Sequence, residues 1–307
     1  MPLLDLAQTA ICAASHAHGA YLSFDYTGSN PAPARQALAQ VADQLDSWAQ
    51  EGKAHRNAFA IGIGAEAWPG LVGNDGPVEL LPFPEFDDAI HPNPVTPHAV
   101  FVHLRSEQHD ACFTAGELAR EVLAEHFTLV DSHSGFRHQD SRDLTGFVDG
   151  TENPAQDERP AAALLDDGSP FAGGSFLHVQ RYVHDLAKWR RTPVATQERT
   201  MGRTKVDNVE MNDDIKPPTA HIARTVIEED GEELEILRQS LPYGEVGGEQ
   251  GLMFLSYCKT PTIFNRMLER MVTKRDGYSD HLLHFTRAVS GAAYFVPPRA
   301  MLAAWRG

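Results

Sequence analysis

Apolar residues along this chain alternate between two periods, three to four residues and two. Leu38, Val41, Leu45 and Trp48 fall at helical spacing and predict an amphipathic helix over Ala34–Trp48. A second helix is expected over Phe113–Phe127, with Leu118, Val122 and Leu123 available to one face. Short apolar runs at Tyr21–Asp25, Phe59–Gly64, Val100–Leu104 and Thr128–Asp131 read as strands. The second half repeats the rhythm. Strands are expected at Ser175–Tyr182, Leu234–Ser240, Gly251–Tyr257 and Ala292–Val296, and a helix begins at Asp185–Arg190. Another helix covers Thr262–Val272, with Phe264, Met267, Leu268 and Met271 in register.

The first and third strands of each half, near Leu22 and Val102 and near Leu177 and Leu255, are separated by nearly the same number of residues. That spacing suggests a duplicated β-α-β…β-α-β unit. The expected architecture is α+β, two ferredoxin-like halves with antiparallel sheets, one over residues 1–145 and one over 146–307. The segment Ala65–Pro97, rich in Pro, Gly and acidic residues, reads as a long surface connection, and Arg199–Pro218 as a second polar one.

Composition narrows the function classes. With 42 acidic and 26 basic side chains the formal net charge is -16, which argues against a general affinity for nucleic acid or anionic membrane. No apolar run approaches the roughly 20 residues needed to span a bilayer. Three cysteines, Cys12, Cys112 and Cys258, lie far apart without a CxxC or CxxCH, against a cysteine-rich metal cluster and covalent c-type haem. Their thin, odd number fits a reducing compartment, and the N-terminus has no basic segment followed by an apolar core, so a cytoplasmic location is expected.

One stretch concentrates candidate chemistry: Gly146-Phe147-Val148-Asp149-Gly150-Thr151-Glu152-Asn153-Pro154. It sets a carboxylate between two glycines in a loop stiffened by proline. Asp-Gly alone is equally a common turn dipeptide. The chain has fifteen histidines and no HExxH, so histidine number selects no site. His221 is distinguished by its setting, Pro218-Thr219-Ala220-His221-Ile222-Ala223-Arg224, where it follows the polar connection and opens a short β-branched run. In Ile236-Leu237-Arg238-Gln239-Ser240-Leu241-Pro242-Tyr243-Gly244, strand alternation points Arg238 and Ser240 to one face.

The nine residues from Gly146 resemble the GxxDGTxNP signature of the dye-decolourising peroxidases, and the resemblance extends from about Tyr21 to Pro298. It implies two ferredoxin-like halves and a pocket, between sheet and helices of the second half, for non-covalent haem b (iron protoporphyrin IX). The histidine-to-arginine segment resembles the family's proximal region and implies His221 as axial iron ligand. Asp280-His281-Leu282-Leu283-His284-Phe285-Thr286 resembles the region supplying its carboxylate partner. Asp280 is the candidate, with Asp276, Glu228 and Glu229 as competitors. On the oxidant side the resemblance implies Asp149 as the base that moves the peroxide proton and Arg238 as the charge that polarises the O–O bond. Ser240 stands where some members carry asparagine. Arg203, in Met201-Gly202-Arg203-Thr204-Lys205, is implied near the propionates, and Gly150, Thr151 and Glu152 near the macrocycle edge. Trp48, Trp189, Tyr243 and Tyr278 are possible relays for bulky donors.

The implied activity is reduction of hydrogen peroxide with one-electron oxidation of small organic reductants such as dyes and phenolics. A haem-handling protein that stores porphyrin or releases its iron is one alternative. A non-haem metal enzyme using Asp149 and His221 is another. A carboxylate base with a pKa near its reference of about 4 implies an acidic optimum. A homo-oligomer is expected. With the last expected strand so near Trp305-Arg306-Gly307, an extended tail of the kind that sends some relatives into protein nanocompartments is not expected.

Overall fold

The structure, a computed structural model, describes residues 2–306. In the first half, strands β1 (His18–Tyr26), β2 (Ala58–Gly64), β3 (Val100–Ser106) and β4 (Phe127–Phe136) form antiparallel ladders in the order β4-β1-β3-β2. Helices Pro31–Glu51 and His109–Leu123 connect β1 to β2 and β3 to β4. The first starts where Asn30 accepts the Ala32 N–H and Pro31 presets the first turn, and it buries Leu38, Val41 and Leu45 at the expected spacing.

The second half contains β5 (Ser175–His184), a short hairpin of β6 (Glu228–Glu229) and β7 (Glu232–Glu233), then β8 (Leu237–Arg238), β9 (Leu241–Gly244), β10 (Gln250–Cys258), β11 (Thr286–Ala288) and β12 (Ala292–Val296). β12 and β10 flank β5, while β8 and β9 lie along the far edge of β10. With β8 and β9 counted as one strand, each half has the spatial order 4-1-3-2. Both halves are thus ferredoxin-like units of α+β architecture. They join where Tyr294 and Phe295 of β12 pair with Gly64 and Ile63 of β2, making one continuous sheet.

That sheet curls until its outer strands touch through side chains. The His133 ring of β4 lies 5.4 Å from that of Tyr243 in β9. A Cβ on Gly135 would come 2.9 Å from the Leu241 Cβ, which accounts for glycine there. The inner face packs Tyr21, Phe101, Tyr257 and Tyr294 into one core, and the outer face packs the helices into another.

Several boundaries differ from the sequence reading. The helix expected at Phe113–Phe127 runs from His109 to Leu123, and Phe127 instead opens β4, which continues past Asp131 to Phe136. Its buried face sets the small residues Cys112, Ala115, Gly116 and Ala119, which let the helix approach the sheet, beside Leu123, with Leu118 and Val122 packed against the core at the margin as the sequence suggests. The strand expected over Leu234–Ser240 contracts to β8 from both ends: the Leu234 N–H donates to the Ile227 carbonyl (2.8 Å) beside the small hairpin, and the Leu255 N–H donates to Ser240 Oγ (3.2 Å), which interrupts the regular ladder. Register is nevertheless preserved, with Arg238 opposite Ser256 and Leu241 opposite Met253. His221 opens a one-turn helix, His221–Thr225, rather than an extended run. Arg270 donates to the Val226 and Ala223 carbonyls (2.6 and 2.8 Å) and so caps that turn from the neighbouring helix Pro261–Val272, overriding its β-branched composition. The polar connection from Arg199 begins inside helix Val194–Met201. The Ala65–Pro97 segment is more than a surface loop, since Trp68, Leu71 and Phe83 from it are buried. Among the described residues, no helix is long and apolar enough to cross a membrane.

Candidate active site

A cavity opens on the outer face of the second half, between β5 and β10 and helix Pro261–Val272. Its empty volume is about 1230 Å³, solvent at the mouth included. Gln180, Tyr182 and His184 enter from β5, and Leu252 and Phe254 from β10. Each set follows the two-residue period that puts side chains on one face. Phe264, Met267, Leu268 and Met271 form the helical wall, so the apolar stripe visible in the sequence lines this cavity.

His221 reaches the cavity from the first position of its short helix, behind Pro217 and Pro218. Its Nδ1 lies 2.6 Å from Asp280 Oδ2. Asp280 is fully buried and begins the turn His281–His284, where its other oxygen accepts the Leu282 N–H at 2.8 Å. Its own N–H donates to the Met271 carbonyl (3.1 Å), which ties the turn to the end of helix Pro261–Val272. One carboxylate therefore fixes both a backbone turn and an imidazole, leaving Nε2 as the ring nitrogen available for coordination. The competing acids are elsewhere engaged: Glu228 and Glu229 are exposed in the small hairpin, with Glu229 3.2 Å from Arg266, and Asp276 sits in an exposed left-handed turn.

Asp149 and Arg238 also line the cavity. Gly150 has φ +82°, a left-handed conformation, which lets the chain turn directly after Asp149. The Asp149 N–H donates to the Ser141 carbonyl (2.9 Å). Arg142 holds the loop from below, donating to the carbonyls of Gly146 (2.9 Å) and Lys205 (2.6 Å). Burial pushes the Asp149 carboxyl above its ordinary 3.8, and the Arg238 guanidinium opposes that rise. The site thus departs from the unperturbed acid assumed in the sequence reading.

Asn153, a motif residue with no role expected from the sequence, laces the two segments together. Its side chain accepts the Arg238 N–H (2.8 Å) and donates to the Arg238 carbonyl (2.9 Å), pairing with the free edge of β8 as another strand would. Asn-Pro at the end of the loop was its sequence signal. A second missed group is the pair His184–Asp143. His184 Nε2 lies 3.0 Å from Asp143 Oδ1 and its Nδ1 2.7 Å from Thr286 Oγ1, all three residues lining the cavity. Burial raises the Asp143 carboxyl, but His184 and the hydrogen bonds from Thr145 outweigh that and leave it below its ordinary value. Nothing in the sequence distinguished His184 among fifteen histidines.

Other candidates are distributed unevenly. Thr151, Glu152 and Arg203 stand at the cavity margin, where Arg203 forms an ion pair with Glu152 and approaches Glu210 at 3.4 Å. Gly150 and Ser240 line an adjoining polar cavity that Asp149 and Arg238 also border. Of the aromatic candidates, Trp189 is buried with its ring 5.9 Å from that of Phe147, a cavity residue. Tyr278 is exposed, Tyr243 is hydrogen-bonded to Arg181 and Glu249, and Trp48 belongs to helix Pro31–Glu51.

A deep apolar slot with a carboxylate-bonded imidazole, an acid and an arginine on its walls suits a flat prosthetic group with an iron at its centre. Sequence comparison matches residues 8–137 to the family model "Dyp-type peroxidase, N-terminal" and residues 140–301 to "Dyp-type peroxidase, C-terminal". The chain is 41% identical over 244 residues to a dye-decolorizing peroxidase of Mycobacterium tuberculosis H37Rv, covering 78% of this chain and 73% of that one. The encapsulated DyP-type peroxidase from Mycobacterium smegmatis superimposes with a TM-score of 0.92 at 37% identity, covering 97% of this chain and 98% of its own. A variant of DypB from Rhodococcus jostii RHA1 in complex with heme superimposes with a TM-score of 0.91 at 34% identity, covering 98% and 99%. Sequence and fold together make this chain a member of the Dyp-type peroxidase family.

Proposed function

We propose that this protein is a haem b peroxidase that reduces hydrogen peroxide and oxidises organic donors, dyes and phenolics among them, by one-electron steps. The observation that carries the reading is the placement, on one apolar cavity, of the His221–Asp280 pair together with Asp149 and Arg238. The residues suit the group: the walls are mainly aliphatic and aromatic, and His221 has its Nδ1 committed to Asp280. The three cysteines are buried and none lines the cavity, in keeping with non-covalent binding.

When bound, haem supplies the iron that receives peroxide and the conjugated ring that returns oxidising equivalents one electron at a time. His221 would hold the iron through Nε2. Asp280 keeps the Nδ1 proton in place, fixes the ring plane and makes the imidazole a stronger donor. Asp149 takes a proton from the incoming peroxide and returns it to the departing oxygen, a role open to a carboxyl with a raised pKa. Arg238 places a fixed positive charge beside the oxygen that becomes negative. Asn153 is a positioning residue, since it fixes the backbone from which Arg238 extends. Arg203 is the cation offered to a propionate, bordered by Thr151 and Glu152, and Gly150, on the adjoining polar cavity, supplies the left-handed turn directly after Asp149. Ser240 supports the oxidant side from the adjoining cavity. A homo-oligomer in the cytoplasm completes the reading, and the three free, buried cysteines suit a reducing compartment.

Reconstitution with haem tests the proposal. A Soret band and peroxide-dependent oxidation of a phenolic donor are expected, with Asp149→Asn and Arg238→Leu each slowing the peroxide reaction by about a hundredfold or more. Release of metal-free porphyrin without donor oxidation would replace this reading with a haem-handling one. Sedimentation velocity tests the assembly.

A further inference from the structure

The polar cavity behind Asp149 and Arg238 has chemistry of its own. Its empty volume is about 800 Å³, solvent at the mouth included. Arg105, Arg137, Arg142, Arg159 and Arg238 stand on its wall, and Asp149 is the single carboxylate among its lining residues. Five guanidiniums against one acid is unexpected in a chain whose formal net charge is -16.

The arginines differ in what already satisfies them. Arg142 is bonded to Asp140 and to three carbonyls, and Arg137 lies 3.8 Å from Glu107. Among the described residues, Arg159 donates only to the carbonyls of Ala13 and Pro154, at 2.5 and 3.5 Å. Arg105, at the end of β3, is 1% exposed, and its Nε and Nη1 have no hydrogen-bond partner among the described residues. Around it lie the rings of the inner core, and burial drives its pKa downward. A buried guanidinium is costly unless it is both hydrogen-bonded and compensated in charge. Water would satisfy the donors without supplying charge. Asp149 already faces Arg238 and leaves Arg105 and Arg159 uncompensated. The missing element is a negative charge with several acceptor oxygens, and a planar fork of N–H donors matches a carboxylate or phosphate group.

We propose that this cavity is a binding site for a small oxyanion, a free carboxylate or inorganic phosphate, held chiefly by Arg105 and Arg159. Its occupant lies beside Asp149 and Arg238 without entering the apolar cavity. Binding of the anion does not depend on peroxidase turnover, so the two readings fail separately.

Isothermal titration calorimetry on the haem-loaded protein tests the site. Inorganic phosphate and acetate are titrated in separate arms, with chloride adjusted to constant ionic strength and pH held fixed. Saturable binding at one site is expected for at least one anion, and the tighter arm identifies the source. Arg105→Gln and Arg159→Gln should each weaken binding by about tenfold or more, whereas Arg306→Gln, on the far surface, should leave it unchanged. Circular dichroism melting identifies a variant that fails to fold, and Arg159→Gln then carries the test, since Arg159 is only partly buried. Absence of saturable binding in both arms overturns the proposal. Equal weakening by all three substitutions overturns it too, because that marks a general charge effect.

Discussion

Replacing Asp280 by asparagine isolates the tautomer of His221 from the stability of the turn. The two carboxylate oxygens accept two N–H groups, from His221 Nδ1 (2.6 Å) and the Leu282 backbone (2.8 Å). Asparagine offers one acceptor and one donor group. If its oxygen keeps the turn, its NH₂ faces Nδ1, the ring proton moves to Nε2, and the lone pair needed by the iron is lost. If the amide flips to accept from Nδ1, two donors face each other at Leu282 and the cap is lost, at about 1 kcal/mol. The remaining bond to the imidazole is neutral, roughly half as strong as the charge-assisted one, with or without haem, so it lowers stability and leaves the affinity difference unchanged. Because the apoprotein keeps the cap and the haem-bound form must give it up, about 1 kcal/mol is lost on binding, roughly a fivefold loss of haem affinity. Haem titration of the apoprotein, followed by Soret absorbance, measures it. Urea unfolding of the same apoprotein should show less destabilisation in Asp280→Asn than in Asp280→Ala, which orphans both donors. Wild-type haem affinity in Asp280→Asn, or equal destabilisation by the two variants, would refute the reasoning.

The peroxide reaction should quicken with pH as Asp149 ionises, with its acid limb above 3.8 because burial raises that carboxyl, and Asp149→Asn should abolish the limb in stopped-flow measurements. Because the folded-state pKa of Asp149 is raised, its ionisation works against folding. Asp149→Asn should therefore stabilise the apoprotein at neutral pH, with the gain fading as pH falls towards 3.8. Asp143 has the opposite sign: its lowered pKa contributes stability above its unfolded value, lost as pH falls below 3.8. Asp143→Asn should then cost about 1–3 kcal/mol in neutral urea unfolding and less in acid. Asn153→Ala removes both bonds to the Arg238 backbone and should destabilise by about 1–2 kcal/mol. It should also slow the peroxide reaction in the haem-loaded protein; an unchanged rate would show that Arg238 is positioned without it.

Much of the site was legible because its walls are written in local periods. Phe264, Met267, Leu268 and Met271 declare a helical face, and residues 180, 182 and 184 share a face of β5 by alternation. What periodicity could not say is that these faces enclose space rather than each other. The loop around Asp149 was readable through its glycines and proline, since each restricts the backbone by itself. Asn153, Arg142 and the His184–Asp143 pair depend on partners 41 to 85 positions away, and no local pattern reports such pairings. Helix His109–Leu123 begins four residues earlier than its large apolar residues indicate, because its first two turns meet the sheet through Cys112, Ala115 and Gly116, and Leu118, Val122 and Leu123 mark only its second half.

The pairing of β12 between β2 and β5 bears on how the protein is made. β12 occupies residues 292–296, so a chain emerging from the ribosome completes nearly everything else before this strand is available. Until then β5 presents an open edge of unpaired backbone groups, the kind of surface that recruits strands from other molecules, whereas on β2 the stretch at Phe59 and Ile61 is already bonded to Gln8, Thr9 and Ala10 and only the end near Ile63 waits. Closing the gap brings together residues more than 200 positions apart, a slow step for any chain. Loss of the last strand, by truncation or by a proline within it, would therefore leave a protein whose principal fault is aggregation during synthesis.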